Sequence, residues 1–195
     1  MTEGPSPAPS AALAGWLANP GDPQRVAALV SAATVAPIPA STLERLPAEG
    51  LAALQQTEGV RFAGLRPAVR SAALIIGLGP RLGIALSDEE RRDLEHPPFT
   101  VHVSGRDVVI EISASPERRH AIGQPFYHQW AAGVNADVMV IDCHRLEHVN
   151  SVLIAWMLQI VQSSKPVPVQ VRRARVQVVT QLRQLRLDHL MTICP

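Results

Sequence analysis

The sequence has few aromatic residues and almost no cysteine. Phenylalanine, tryptophan and tyrosine make up 4% of its 195 residues, which argues against the aromatic platform on which single-stranded nucleic acids stack. Cys143 and Cys194 are the only cysteines, so a disulfide framework is excluded and a reducing compartment is favoured. Lys plus Arg (18) nearly balances Asp plus Glu (17), so the chain is neither basic nor acidic throughout.

Long apolar runs are also missing. The most hydrophobic stretch, residues 72–86, is interrupted by Pro80 and Arg81 and is shorter than the roughly 20 residues that a membrane-spanning helix needs. Residues 1–10 lack a basic cluster followed by an apolar segment, so we expect no secretory signal. We therefore expect a cytoplasmic protein that does not insert into a membrane. Its 47% of hydrophobic residues suffice for a folded core.

The composition changes near residue 97, which predicts a chain of two parts. Residues 1–9 contain three prolines and indicate a disordered tail. Residues 10–96 are rich in alanine and leucine and carry helix-start signals, so they predict a small all-α module. Pro97 and Pro98 end its last helix. The helix-start signals are Asp22 before Pro23, Ser41 with Glu44, and Ser87 with Glu90.

Residues 99–195 predict an α/β domain. Two β-rich segments, residues 100–103 and 108–112, flank a Gly-Arg-Asp turn and predict a hairpin. The apolar run of residues 138–141 is typical of a strand buried on both faces of a mostly parallel sheet. Helical and strand periods then alternate, which favours a layered α/β structure. The expected elements are helices over residues 116–132, 150–161 and 174–185 and a strand over residues 167–171.

A small cluster of potential metal ligands follows the predicted buried strand, from Asp142 to His148. Zinc normally needs two separated pairs of ligands, and only one cluster exists, so we expect no metal and no cofactor. A remote alternative is a small enzyme that uses Cys143 with His144 or His148, although the sequence identifies no oxyanion site. Because Cys143 directly follows the strand, a packing role is favoured.

Basic residues gather in the C-terminal stretch from residue 165, against the single acidic Asp188. Such a face could attract an acidic partner protein, nucleic acid or a lipid headgroup, whereas the simpler interpretation is a solvated helix face. No aromatic residues are interleaved with them, so nucleic acid is not expected as a partner. The basic residues are Lys165, Arg172, Arg173, Arg175, Arg183 and Arg186.

Asn150 and Ser151 lie where the loop after the predicted strand turns into an amphipathic helix. Either side chain can cap this helix by accepting hydrogen bonds from N–H groups of its first turn, and capping alone explains both residues. A phosphoryl group on Ser151 would meet the positive end of the helix dipole. It would also add about two negative charges to an exposed loop, enough to create or disrupt a protein interface.

From about residue 99 the order of elements resembles the STAS domain, the fold of anti-sigma-factor antagonists, stressosome scaffold proteins and the cytoplasmic tails of sulphate transporters. In that family a strand ends in Asp, and Asp-Ser or Asp-Thr opens the next helix. The Ser or Thr is the regulatory phosphorylation site, and Ser151 occupies it here. Asn150 replaces the usual Asp, the glycine that usually follows is missing, and the family's last helix is expected to be absent. The resemblance is carried by residues 138–142 (VMVID), 149–155 (VNSVLIA), 167–171 (VPVQV) and 182–190 (LRQLRLDHL).

The resemblance implies a non-enzymatic regulatory adaptor that binds a partner protein through the Asn150-Ser151 helix start. Phosphorylation of Ser151 could switch the binding. The implied partners are an anti-sigma kinase, a stressosome-like scaffold or a transporter ATPase. The oligomeric state is left open, with a homo-oligomer as one alternative. His148, Val152 and Trp156 are expected to contribute to the same surface, with packing of Trp156 under the N-terminal half as an equal alternative. A rival function is an accessory subunit of a lipid or solute transporter ATPase that is never phosphorylated.

Overall fold

The N-terminal half of the protein is mainly helical in the computed structural model, which describes residues 8–194. The tail predicted for residues 1–9 lies outside the described residues as far as residue 7, and the first helix already begins at Pro9. The helices are α1 (Pro9–Ala18), α2 (Pro23–Val35), α3 (Ala48–Gln55), α4 (Pro67–Ile75) and α5 (Asp88–Glu95).

Local signals explain where several of these helices begin. Proline at the first position fixes the backbone for helix entry in α1, α2 and α4. Asp22 caps α2 by accepting a hydrogen bond from the N–H of Gln24 at 2.9 Å. At α5 the predicted capping box is confirmed, because the Ser87 hydroxyl accepts from the N–H of Glu90 at 3.1 Å and the Glu90 carboxylate accepts from the N–H of Ser87 at 2.9 Å.

The expectation of an all-α module before residue 96 is wrong in detail. No helix begins at Ser41, which lies in a turn and whose carbonyl accepts a hydrogen bond from Arg66 at 3.0 Å. Three two-residue strands also lie in this half. They are β1 (Ile38–Pro39), β2 (Leu46–Pro47) and β3 (Phe62–Ala63), and β1 pairs with β3 in parallel.

The C-terminal half contains a five-stranded sheet. Its strands, in their order across the sheet, are β4 (Phe99–Ser104), β5 (Asp107–Ile112), β7 (Met139–Asp142), β8 (Val169–Arg172) and β9 (Thr192–Ile193). Only the β4–β5 pair is antiparallel. Gly105 makes the predicted hairpin turn at a φ of 62°, where a residue without Cβ is favoured. The prediction of a mixed α/β fold with a mostly parallel sheet is confirmed. The two longest helices of this half are α8 (Ser151–Ser164), between β7 and β8, and α9 (Val176–Gln184), between β8 and β9.

Residues 116–132 do not form the single helix that their composition predicts. Pro125 has no N–H to donate and therefore interrupts a continuous helix, and the segment divides into short turns of helix on either side of it. These are α6 (Pro116–Arg119), a 3₁₀ turn (His120–Gly123), α7 (Phe126–Gln129) and a second 3₁₀ turn (Trp130–Gly133), followed by β6 (Val134–Asn135).

The two halves are joined by backbone pairing and by close packing. β2 pairs in parallel with β6, so that Leu46 lies opposite Val134. Gly133 lies directly against α4, where a Cβ would come within 2.2 Å of the Ala68 carbonyl oxygen. The apolar core continues from Trp16 in α1 to residues of the large sheet. None of the described helices is both long and apolar enough to cross a membrane.

Candidate functional site

The loop that leads into α8 is fixed from both ends. Asp142 closes β7, which lies between β5 and β8 in the sheet. Val149, at the other end of the loop, is buried, and its N–H donates to the side-chain oxygen of Gln181 on α9 at 3.0 Å. The start of α8 is therefore held by the sheet and by α9.

Asn150, and not Ser151, caps α8. The Asn150 Oδ1 accepts a hydrogen bond from the N–H of Leu153 at 2.9 Å. Ser151 is the first helical residue, and its exposed hydroxyl forms no hydrogen bond with any side chain or backbone group that the structure describes. The sequence allows either residue to be the cap. In the structure Asn150 is the cap, and the Ser151 hydroxyl has no partner among the described residues.

His148, Asn150 and Val152 border a cleft beside the start of α8. All three are exposed, and the Val152 side chain retains 43% of its accessibility. The cleft has a volume of about 180 Å³. Its other walls are Pro116, Arg119, His120 and Leu153. The loop and the α6 segment thus form one concave surface that sequence reasoning did not foresee.

Trp156 is not part of this surface, so the expectation that it anchors a partner is wrong. It is 1% exposed, and its indole N–H donates to the Tyr127 carbonyl at 2.8 Å. Its ring lies 5.3 Å from that of Phe99. The segment before β6 covers this side of α8, which buries a position that lies off the main apolar stripe. The tryptophan contacts residues of the C-terminal half, and the alternative that it packs under the N-terminal half is not needed.

Asp142 ends β7 as predicted, but sequence reasoning missed that its carboxylate is buried and paired with Arg173. Asp142 is 3% exposed. Its Oδ1 accepts from the His144 N–H at 3.0 Å and lies 2.9 Å from His144 Nδ1, while its Oδ2 pairs with the Arg173 guanidinium. Arg145 donates to His144 Nε2 at 3.1 Å, so the imidazole donates through Nδ1. The signal in the sequence was an Asp closing one buried strand and an Arg following the next.

These contacts satisfy the carboxylate internally. Open α/β sheets bind ligands at the carboxyl ends of their parallel strands. Here both carboxylate oxygens of Asp142 are already bound within the chain, one by His144 in the loop and the other by Arg173 after β8. A buried charge without partners would cost several kcal/mol of stability. The hydrogen bonds from His144 and the pairing with Arg173 avoid this cost. The cluster therefore fastens the loop that presents His148, Asn150 and Ser151.

Cys143 has the properties of a packing residue. It is fully buried, and burial raises the pKa of its thiol to about 12. At neutral pH the thiolate that a nucleophile or metal ligand requires is scarcely populated. Among the described residues, no group of three or more His, Cys, Asp or Glu is placed to hold a metal ion. This geometry gives no support to a Cys143 nucleophile working with His144 or His148.

Comparison of the chain with protein-family models, with curated proteins and with solved structures finds no match. The resemblance to the STAS domain stays a prediction made from the order of elements and from the residues at the start of α8, and none of these comparisons supports it. That order is a strand hairpin, β7, α8, β8, α9 and β9.

Proposed function

We propose that the protein is a non-enzymatic regulatory adaptor, with a STAS-like α/β half, that binds a partner protein through the start of α8. We call the exposed residues His148, Asn150, Ser151 and Val152 the α8-start surface. The observation that carries the proposal is that Asn150 supplies the cap, which leaves the Ser151 hydroxyl exposed and without a hydrogen bond among the described residues.

The chemistry of this surface suits a switch by phosphorylation of Ser151. A phosphoserine at the first helical position is stabilised by the helix dipole, so the modification does not oppose the fold. It adds about two negative charges beside the apolar Val152, which changes what can dock there. The partners expected for this function are an anti-sigma kinase, a stressosome-like scaffold or a transporter ATPase. Cys143 and Cys194 are both free thiols, which supports the cytoplasmic location that belongs to this proposal.

The second candidate is an accessory subunit of a lipid or solute transporter ATPase. It would use the same α8-start surface without phosphorylation. Asn150 favours it, because the charge that usually precedes the phosphorylated residue in the STAS family is missing. Incubation of the protein with cell extract and ATP, followed by mapping of phosphorylated residues, separates the two. A phosphate on Ser151 supports the switch, and an ATPase that co-purifies with unmodified protein supports the accessory role.

The first test of the α8-start surface is site-specific photo-crosslinking in cells that produce the protein. A photo-reactive amino acid replaces Val152 in one variant and Val35 in a matched control. Val35 is also an exposed valine, at 72% accessibility, and lies at the end of α2. We expect a defined protein adduct from position 152 and none from position 35. Adducts of equal yield from both positions would contradict the proposal.

The second test changes the charge at the captured interface. Ser151→Asp is expected to weaken binding of the captured partner by about 1–3 kcal/mol, by repulsion and desolvation. The matched control is Ser87→Asp. It adds the same charge at the start of another helix, α5, where Asp is also a good cap. Calorimetry should show that this control binds the partner with the same affinity as the wild type. Equal binding by Ser151→Asp and Ser151→Ala would rule out the switch.

A further inference from the structure

The cleft beside α8 is lined by basic side chains from two separate parts of the chain. Arg119 and His120 come from α6 and the 3₁₀ turn after it, and His148 comes from the loop before α8. Packing of this 3₁₀ turn against α8 brings them together, as shown by Gly123, where a Cβ would lie 3.5 Å from the Val152 side chain. We call the hollow between Arg119, His120 and His148 the basic cleft.

The fixed positive charge of the basic cleft is that of Arg119. None of the described residues that line it is acidic. Glu147, next to His148, pairs with Arg175 at 3.2 Å, and the carboxylate of Asp142 is held by Arg173. Arg119 takes part in no ion pair among the side chains that the structure describes. No described carboxylate therefore competes with an incoming anion for its charge.

We infer that the basic cleft receives an acidic segment of the partner protein, with a carboxylate between Arg119 and His148. The inference rests on the proposed adaptor function and adds the chemistry of the partner. Opposite charge steers association and fixes register across protein interfaces. The apolar walls formed by Pro116, Val152 and Leu153 suit the aliphatic stem of a glutamate.

A polypeptide fits the cleft better than a nucleic acid. A nucleic acid binds through a track of several phosphate contacts and, when single-stranded, through aromatic side chains that stack on its bases. The cleft is small, at about 180 Å³, and no aromatic ring other than histidine is among its described walls. One or two carboxylates with apolar neighbours match this space.

The inference also gives the sign of regulation at Ser151. Asn150 and Val152, on either side of the serine, both border the basic cleft. A phosphate on Ser151 would bring about two negative charges next to it. The phosphate would offset the positive charge of the cleft and repel an acidic segment, so phosphorylation releases the partner.

The test uses the full chain and a fluorescein-labelled deca-glutamate peptide as the probe, with binding followed by fluorescence anisotropy. We expect Arg119→Gln to weaken binding about two- to fivefold, the range typical of one exposed ion pair. His148→Gln provides a second variant on the other wall. The matched control is Arg183→Gln, which removes the same charge from an exposed position on α9 and should leave the affinity unchanged.

Two results would overturn the inference. Equal losses for Arg119→Gln and Arg183→Gln would show that the peptide responds to overall charge only. Tighter binding of a uridine decanucleotide than of deca-glutamate, with the same dependence on Arg119, would assign the cleft to nucleic acid. Circular dichroism of each variant verifies that the fold is retained.

The outcome can be separated from that of the adaptor proposal. The crosslink at position 152 reports partner contact whatever the charge of the partner. If the crosslink forms but Arg119→Gln and His148→Gln leave partner affinity unchanged, only the acidic-segment inference fails. If deca-glutamate binds through Arg119 but position 152 yields no adduct, the adaptor function fails and the preference of the cleft for acidic polypeptide stands.

Discussion

The starts of α5 and α8 use the same kinds of polar residue in opposite ways. At α5 the Ser87 hydroxyl is the cap, and the Glu90 carboxylate accepts a hydrogen bond from the serine N–H and also pairs with Arg70. At α8 the cap is Asn150, and the hydroxyl of the serine that follows it makes no hydrogen bond to any described group of the helix. A serine hydroxyl at a helix start is thus structural in one half and open to solvent in the other.

The two helices also differ in what holds them in place. α5, all of whose residues are described, buries none of them, so polar contacts such as the Arg70–Glu90 pair attach it. α8 buries Leu153, Trp156, Met157, Ile160 and Ser164. Because the core secures α8, the exposed Ser151 and Val152 at its start can change charge or bind a partner without unfolding the helix.

The largest difference is expected at the third helical position, which is Glu90 in α5 and Leu153 in α8. Leu153→Ala should lower the free energy of unfolding by about 2–4 kcal/mol, because it leaves a cavity in the core. Glu90→Ala should cost about 1–2 kcal/mol, since it removes charge-assisted hydrogen bonds near the surface. Urea denaturation measures both. A loss for Glu90→Ala as large as that for Leu153→Ala would contradict the contrast between polar and apolar attachment.

The second difference concerns how the stability of the protein changes at low pH, because α5 has a paired carboxylate at its start and α8 does not. Hydrogen bonding from the Arg70 guanidinium, assisted by the Ser87 N–H, lowers the pKa of Glu90 to about 2. A carboxylate whose pKa is depressed by folding stabilises the protein above its unfolded pKa, and this stabilisation is lost as the pH falls from about 4.5 to about 2. Between pH 5 and 2, wild type should therefore lose about 1 kcal/mol more of its unfolding free energy than Glu90→Gln.

The control for this pH dependence is Ser151→Ala. The start of α8 has no carboxylate that would respond in this way, so this variant should follow the wild-type acid curve. Denaturant titrations at half-unit pH intervals measure the curves. Parallel curves for wild type and Glu90→Gln would show that the Arg70–Glu90 pair does not stabilise the folded state.

The smallest effects separate a cap from a free hydroxyl. Asn150→Ala and Ser87→Ala should each lower the free energy of unfolding by about 1 kcal/mol, because each leaves an N–H of the first turn without its acceptor. Ser151→Ala should change stability by less than about 0.5 kcal/mol, as is usual for exposed positions. If Ser151→Ala cost as much as Asn150→Ala in thermal denaturation, the serine hydroxyl would be a second cap.

The elements that the sequence predicts correctly depend on local chemistry. The Ser87–Glu90 capping box and the turn at Gly105 are decided by residues within a few positions of one another. The β2–β6 pair could not be predicted, because Leu46 and Val134 meet only through the tertiary fold. Pro125 shows a local signal that was present but not used, since proline breaks the helix that the surrounding residues favour.

The candidate site divides in the same way. The helix start at Asn150 is readable from the sequence, but which of two adjacent residues caps it depends on the helix register that burial of Leu153 fixes. Trp156 shows that an off-stripe position is buried when a second segment covers that side of the helix. Arg119 reaches the cleft from a distant part of the chain, so no spacing in the sequence indicates it.

The pairing of β2 with β6 has a consequence for synthesis on the ribosome. At about 5–20 residues per second, Leu46 is made on the order of ten seconds before Val134, the residue opposite it. During that interval β2 has no strand beside it, and α4 lacks the close contact of its Ala68 with Gly133. The apolar surface around Leu46 therefore stays uncovered by β6 until Val134 has been made.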